Sequence, residues 1–274
     1  MPPIIPITDP DDPRIAPYCR IRERDLVGRD GQFIAEGAVV LNVLLRSRRH
    51  QAVSLLIAEK RVATLAPLLA QVPEAVPIYA AGQAVLDAIA GFPLHRGILA
   101  LGRRAPDPAI PDLLAGPEPG ALVLLLYGIA NHDNIGGIFR NAAAFGVDAV
   151  ILDPDCCDPL YRKAIRVSVG ATLIVPFGFC ASGDDPIALL SAAGFEALAL
   201  SPAGATPLAR LARPARTAVL LGAEGPGLPA TVLARTRTVA IPMAGGFDSL
   251  NVATTSGIVL HHLACVAPRP GADC

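Results

Sequence analysis

Tryptophan is absent from the 274-residue chain, and aromatic residues make up only 4% of it. A surface that grips single-stranded nucleic acid by stacking bases on rings needs more rings than this. Lysine is nearly absent too. Only Lys60 and Lys163 occur, so almost every basic side chain is an arginine. The six cysteines, at positions 19, 156, 157, 180, 265 and 274, include no C-x-x-C pair and no His/Cys cluster at zinc spacing. No metal is therefore expected, and free thiols in a reducing compartment are. The N-terminus lacks both the basic stretch and the continuous apolar stretch of a secretion signal. The longest apolar runs are strand-sized. The apolar segment 250–267 is interrupted by Asn251, Thr254, Thr255, Ser256, His261 and His262, which suits a buried or interfacial helix better than a membrane span. A soluble, cytoplasmic protein with no membrane partner is expected.

What is present supports a large core. Hydrophobic residues make up 52% of the chain and charged ones only 17%, which excludes a mainly disordered polymer. The net charge of −1 hides an asymmetry. Residues 1–105 carry 13 basic and 10 acidic side chains, net +3, whereas 106–274 carry 10 and 14, net −4. The balance permits a nucleic-acid partner on the first part but does not demand one. The densest basic cluster is Arg46, Arg48, Arg49 and His50, which also reads as an ordinary solvated helix end.

Proline marks the boundary between the parts. Five prolines fall between 106 and 119, and the residue before a proline favours extended chain, so 106–119 reads as a linker. Before it, helix-like spacing over Ala38–Arg46 and Arg61–Gln71 alternates with short apolar runs at Val53–Ile57, Val76–Tyr79 and Gly97–Leu101. This predicts a small α/β domain over 1–105. After the linker, strands are predicted at Ala121–Tyr127, Val147–Leu152, Phe195–Leu200, Thr217–Leu221 and Thr238–Ile241. A helix is predicted over Ile135–Phe145, closed by Gly146. A second begins at an Asp185 cap with Pro186 in its first turn and stops at Gly194. Continuous apolar strands alternating with helices predict a parallel sheet covered on both faces over 120–268. In such sheets ligands sit beyond the carboxyl ends of the strands.

Three glycine-bearing segments follow predicted strands there. They are Asn134-Ile-Gly-Gly-Ile-Phe-Arg140, Gly222-Ala-Glu-Gly-Pro-Gly-Leu228, and the stretch from Ile241-Pro-Met243 to Ser249-Leu-Asn251. Taken singly, each has a plain structural reading. The first is a capped helix with a surface arginine, the second a glycine-rich turn, and the third a helix cap at Asp248-Ser249. The second is neither a dinucleotide fingerprint nor a P-loop, and Glu224 would repel a phosphate. Glycines with one carboxylate suit a neutral or cationic ligand.

Order and spacing together carry more. Asn134-x-Gly-x-x-x-Arg140 with Ala143 and Gly146, Gly222-x-Glu224-x-x-Gly227-Leu228, and Ile241-Pro-Met243 with Ser249-Leu-Asn251-Val252 resemble the three motifs of the SpoU (TrmH-type) RNA 2′-O-ribose methyltransferases of the SPOUT superfamily. Lys163-Ala-Ile-Arg166-Val-Ser168-Val-Gly170 is similar to the family's connecting helix. The likeness spans about 120–266. A shorter one, at Phe33-Ile-Ala-Glu-Gly37 and His95-Arg-Gly-Ile-Leu-Ala100, resembles the L30e-like substrate-binding domain that precedes many such catalytic domains. Ala253-Thr-Thr255 departs from the pattern, where a Ser and small apolar residues are commoner.

The resemblance implies a trefoil-knotted catalytic domain, and a homodimer to which the apolar stretch Ile258–Ala267 contributes. It also implies methyl transfer from S-adenosyl-L-methionine to a ribose 2′-hydroxyl of ribosomal or transfer RNA. An RNA-binding protein on the same fold with little catalysis is the alternative. The residues it casts as catalytic are Asn134, Arg140, Glu224, Ser249 and Asn251. Those it places around the cofactor are Leu200, Gly222, Glu224, Gly227, Ile241, Met243 and Leu250. Family likeness makes Arg140 the base. A guanidinium is normally protonated, so it serves equally well to hold a phosphate or stabilise an alkoxide, with the proton leaving elsewhere.

Overall fold

The computed structural model describes residues 2–19, 23–28, 30–90, 97–115, 120–245 and 249–266, which form two compact units. The first unit is residues 1–106 together with 159–174, and the second is 107–158 together with 175–274. His95 and Arg96 of the shorter sequence likeness, and Asp248 of the expected helix cap, lie outside the described residues.

The first unit runs β1 (Ile4–Ile7), α1 (Glu23–Gly28), β2 (Gln32–Glu36), α2 (Ala38–Arg46), β3 (Gln51–Ala58), α3 (Val62–Leu69), β4 (Ile78–Ala81), α4 (Gln83–Ala90) and β5 (Ile98–Arg103). Its sheet has the order β1-β4-β3-β5-β2. The pairs β1/β4 and β3/β4 are parallel, and β5 runs antiparallel to β3 and β2. Strand β4 starts two residues later than the apolar pattern predicts. Pro77 has no N–H to give the ladder and contributes only its carbonyl, to Leu55 N. The core gathers Ile7, Ile15, Leu56, Leu86, Leu99 and Leu101.

The expected basic cluster divides. Arg46 and Arg48 are exposed, but His50 is buried. Its ring packs edge-on against Phe33 at 5.4 Å, and its Nδ1 accepts from Ala105 N–H at 3.2 Å. Ser47 makes the turn between them, because its hydroxyl accepts from the N–H groups of Arg49 and His50.

Residues 159–174 hold helix α7 (Arg162–Val167). Glu36, at the end of β2, is buried and receives Arg162 through Nε at 3.1 Å, with Arg166 Nη1 at 3.7 Å. Helix α7 ends in a Schellman turn, with Gly170 N–H bonded to Ile165 O and Val169 N–H to Arg166 O. The left-handed position of that turn is Val169, at φ 55°, where a β-branched side chain is strained.

The second unit runs α5 (Ile110–Leu114), β6 (Ala121–Leu126), α6 (His132–Ala144), β7 (Ala149–Leu152), β8 (Phe177–Phe179), α8 (Pro186–Ala192), β9 (Glu196–Leu200), β10 (Thr206–Pro207), β11 (Arg216–Leu221), α9 (Ala230–Leu233), β12 (Arg237–Ala240) and α10 (Val252–Val266). Its seven strands are all parallel, in the order β10-β12-β9-β11-β6-β7-β8. Every residue of β6 is buried, as expected of a central strand covered on both faces. The stretch read as a linker is in part helix. Pro111 sits in the first turn of α5, and Ile110, Leu113 and Leu114 are buried in the second unit's core. Pro111 is tolerated in a first helical turn, where the proline pattern predicts extended chain. Asp185 caps α8 by accepting from Ile187 and Ala188 N–H, and Gly194 closes it in the left-handed conformation, both as predicted. No helix among the described residues is long and apolar enough to cross a membrane.

Candidate functional site

The strand order places the carboxyl ends of β12, β9 and β11 side by side, and a cleft of about 610 Å³ opens there. Its floor is supplied by Leu200 at the end of β9, Leu221 and Gly222 at the end of β11, and Val239 and Ile241 at the end of β12. Glu224 and Gly227 follow from the glycine-rich turn, with Met243, Ser249 and Leu250 on the approach to α10. All seven residues assigned to cofactor contact by family likeness thus line one cleft, Leu200, Gly222, Glu224, Gly227, Ile241, Met243 and Leu250 alike.

Backbone geometry explains the glycines. Gly227 N–H returns to Ala223 O at 3.0 Å, folding the turn back on itself, and a Cβ on Gly222 would collide with the Gly227 carbonyl carbon. A side chain at 222 is therefore excluded by sterics, whereas Gly225 has φ 90° and open space around it. On the neighbouring strand end, a Cβ on Gly204 would strike the Val239 carbonyl, so the β9 exit also needs its glycine.

The polar residues meet through Asn251. It stands immediately before α10 and is that helix's cap, its Oδ1 accepting from Ala253 N–H at 3.0 Å and Thr254 N–H at 3.2 Å. This replaces the cap expected at Asp248-Ser249. Asn251 Nδ2 donates to Asn134 Oδ1 at 2.8 Å and to Glu224 Oε1 at 3.0 Å. One side chain from each of the three glycine-bearing segments is thereby joined. Asn134 is buried in the first turn of α6 and is not its cap; Asn131 caps that helix through Asp133 N–H. The loop before α6 is fixed by Asp153, whose carboxylate accepts from Gly128 N–H at 3.0 Å.

Arg140 does not join this group. Six residues at about 100° each put it roughly 240° around the helix from Asn134. It is exposed and does not line the cleft. Helices α6 and α10 pack closely where Gly137 faces Ala253; an added Cβ there would lie 2.7 Å from the Ala253 Cβ. Asn141 Nδ2 ties the same helices by donating to Ala253 O and Ser256 Oγ. The small residue at 253, a departure from the family pattern, therefore sits at the closest approach of the two helices.

Three of the lining residues fall outside the three motif-like segments: Ser201, Pro202 and Val239. Ser201 and Pro202 directly follow a predicted strand end, where ligands of such sheets sit. Thr255, in the stretch that departs from the third motif, also lines the cleft. Among the described residues, Glu224 is the only charged one lining the cleft. A ligand bearing phosphates would meet a carboxylate and no cation here, while a ligand with an uncharged base and sugar and a positive centre meets compatible walls. The donor set and volume therefore fit S-adenosylmethionine. Among the described residues, no thiol lines the cleft. Burial pushes the Cys157 thiol up to about 12 and the Cys180 thiol up to about 11, so both stay protonated near neutrality. Among the described residues, no group of three or more His, Cys, Asp or Glu is placed to hold a metal ion.

Comparison with known proteins adds family and fold. The family model described as "SpoU rRNA Methylase family" matches residues 121–261. A protein of Mycobacterium bovis named an uncharacterized tRNA/rRNA methyltransferase is 40% identical over 265 residues, covering 93% of this chain and 90% of its own. A 23S rRNA (guanosine-2′-O-)-methyltransferase, RlmB, of Acinetobacter baylyi is 31% identical over 200 residues, covering 70% of this chain and 79% of its own. The solved SpoU methyltransferase AviRb of Streptomyces viridochromogenes, in complex with the cofactor AdoMet, superposes with a TM-score of 0.79 at 21% identity, over 93% of this chain and 98% of that one. At that identity the likeness is one of fold.

Proposed function

The chain belongs to the SpoU rRNA methylase family, and from that premise we propose that it transfers the methyl group of S-adenosylmethionine to a ribose 2′-hydroxyl of ribosomal or transfer RNA. The observation that carries this reading is the junction at Asn251, where Asn134 and Glu224 meet beside the cleft. A phosphate-free cofactor fits that cleft, and the Acinetobacter relative is named for 2′-O-methylation of 23S rRNA guanosine.

Bound S-adenosylmethionine supplies an electrophilic methyl group on a sulfonium. The protein's part is positional. The ends of β9, β11 and β12 would hold the cofactor in the cleft, with Glu224 on its wall joined through Asn251 to Asn134. Aligning two bound reactants replaces most of the covalent help that other group transfers need. The first unit offers Arg46 and Arg48 to RNA phosphates, in agreement with the net positive charge of residues 1–105.

A homodimer through the second unit belongs to the same reading. On α10 the residues Thr254, Ile258, His261 and Cys265 are exposed at spacings of four, three and four, a single stripe, and Ile258 is a large apolar side chain 39% exposed. An RNA substrate places the work in the cytoplasm.

The test is incubation with methyl-labelled S-adenosylmethionine and RNA, followed by alkaline hydrolysis. A 2′-O-methyl blocks cleavage of the adjacent linkage, so label in alkali-resistant dinucleotides is expected. Label recovered on a base overturns the 2′-hydroxyl assignment.

A further inference from the structure

The start of α10 brings Asn251, Val252 and Thr255 to the wall of the cleft. Their place depends on how α10 lies against α6. Small residues mark the closest approach of the two helices. A Cβ at Gly137 would lie 2.7 Å from the Ala253 Cβ, and one at Gly257 would lie 3.1 Å from Asn141 Nδ2. Such a seam permits close approach but sets register poorly, because dispersion and apolar burial have no direction. Hydrogen bonds do.

Asn141 supplies them. Its Nδ2 donates to Ala253 O at 2.8 Å and to Ser256 Oγ at 2.9 Å. Ser256 is fully buried, and its own proton goes to Ala253 O at 2.7 Å. The serine oxygen is therefore left to accept, and the Asn141 amide must turn its nitrogen toward α10. A slide or rotation of α10 would strain both bonds at once. Asn141 stands seven residues after Asn134, roughly two turns along α6 and on the same face. Asn134 holds the cap residue Asn251, and Asn141, about 10 Å farther along the helix, holds the next turn. Two asparagines on one seam thus pin the start of α10 at two points. Asn141 itself does not line the cleft. None of Asn141, Ala253 and Ser256 is among the residues that family likeness casts as catalytic or places around the cofactor.

Resting on the methyl-transfer reading, we propose that Asn141 is a positioning residue for the transfer. It fixes the register of α10 on α6 and so places Asn251 and Thr255 at the cleft. An error of about 1 Å in the placement of reacting groups is enough to cost on the order of 10²-fold in rate.

The test is a cycle of Asn141→Ala, Asn251→Ala and the double variant. Each is measured for its unfolding midpoint and for S-adenosylmethionine affinity by calorimetry. Single-turnover transfer to in vitro transcripts of ribosomal and transfer RNA is then followed at saturating cofactor and RNA, well below the lowest midpoint. Asn141→Ala is expected to lose about tenfold or more in rate, and saturation should not recover the loss. In the Asn251→Ala background the same change is expected to cost less, since the group it places is already gone. A merely structural role lowers the midpoint in both backgrounds and leaves the saturated rate of the folded protein unchanged.

A smaller loss in Asn141→Ala overturns the assignment, and so does an equal loss in the two backgrounds. If Asn251→Ala leaves no measurable transfer, the cycle is read in S-adenosylmethionine affinity, where non-additive losses are expected and additive ones overturn it. If Asn141→Ala does not fold, Ser256→Ala decides, because it removes one anchor and keeps the other; a slower saturated rate is expected and an unchanged one overturns the proposal. Cofactor binding without transfer by the unsubstituted protein overturns the methyl-transfer reading alone, and the affinity cycle still tests the placement of α10. Absence of cofactor binding overturns both.

Discussion

Asn251 Nδ2 lies 2.8 Å from Asn134 Oδ1, although 117 residues separate the two in the chain. This contact couples the start of α10 to the first turn of α6, and it makes one residue responsible for both a helix cap and the arrangement of the site. Asn251→Ala should therefore lose stability twice over. Removing the cap costs about 1 kcal/mol, and the buried Asn134 oxygen left without a donor costs on the order of 1–3 kcal/mol. Urea unfolding of the variant should show a summed loss of that order, and a loss below about 0.5 kcal/mol would mean the cap is supplied by another group.

Gly222 and Gly225 make a controlled pair. Gly222→Ala places a Cβ on the Gly227 carbonyl, so the turn must open and the cleft with it. Gly225→Ala meets nothing and suffers only left-handed strain, roughly 1–2 kcal/mol. Calorimetry should show S-adenosylmethionine affinity lost by more than about tenfold, 1.4 kcal/mol, in the first and largely kept in the second. Equal losses would place the cofactor elsewhere.

Ile258 tests association. Its exposure on the α10 stripe makes Ile258→Glu harmless to an isolated chain, because the side chain already faces out. In a dimer that buries the stripe, an unpaired carboxylate would weaken the interface. Sedimentation equilibrium should find the parent dimeric and the variant shifted toward monomer; the same mass for both removes α10 from the interface.

Val169→Gly should do what a Val→Gly change rarely does. The strain of a β-branched residue at φ 55° is about 1–2 kcal/mol, against an entropic cost of glycine of roughly 0.5–1 kcal/mol. The variant should be as stable as the parent, or up to about 1 kcal/mol more stable. A clear decrease in the urea midpoint would show that the exposed valine is held by contacts worth more than the strain.

Glu36→Gln should destabilise the first unit. The carboxylate is buried and answers Arg162, itself mostly enclosed. Removing one member of a buried pair costs on the order of 3 kcal/mol. Loss of signal from the first unit at lower denaturant is the expected result, with little relief from added salt, because a buried pair is weakly screened.

Much of this architecture was legible in the sequence, for identifiable reasons. Asp185, Pro186 and Gly194 bracket α8 because a cap, a first-turn proline and a left-handed glycine act locally. The parallel sheet followed from apolar runs such as Ala121–Leu126 that are buried on both faces. The residues found lining the cleft are ones that the family resemblance, not spacing alone, singles out. What failed was non-local. His50 sits in a basic run, yet Phe33 and Ala105, distant in sequence, bury it. Asn251 looked like an interior residue of a helix begun by Ser249, because no local rule announces that Asn134 and Glu224 hold its amide. The prolines at 106–119 hid α5, since a proline at the start of a helix and one in extended chain look alike.

The interleaving of the two units bears on the order in which the protein is made. A ribosome that has released residues 1–106 has delivered five strands but not the arginines that answer Glu36, the first of which arrives 126 residues after it. Until residues 159–174 emerge, Glu36 must stay hydrated or draw on another cation. By then β6, α6 and β7 of the second unit are already synthesised. Completion of the N-terminal unit is thus deferred to a late moment of translation, and a fragment cut at residue 106 is an unfinished body rather than a free-standing module.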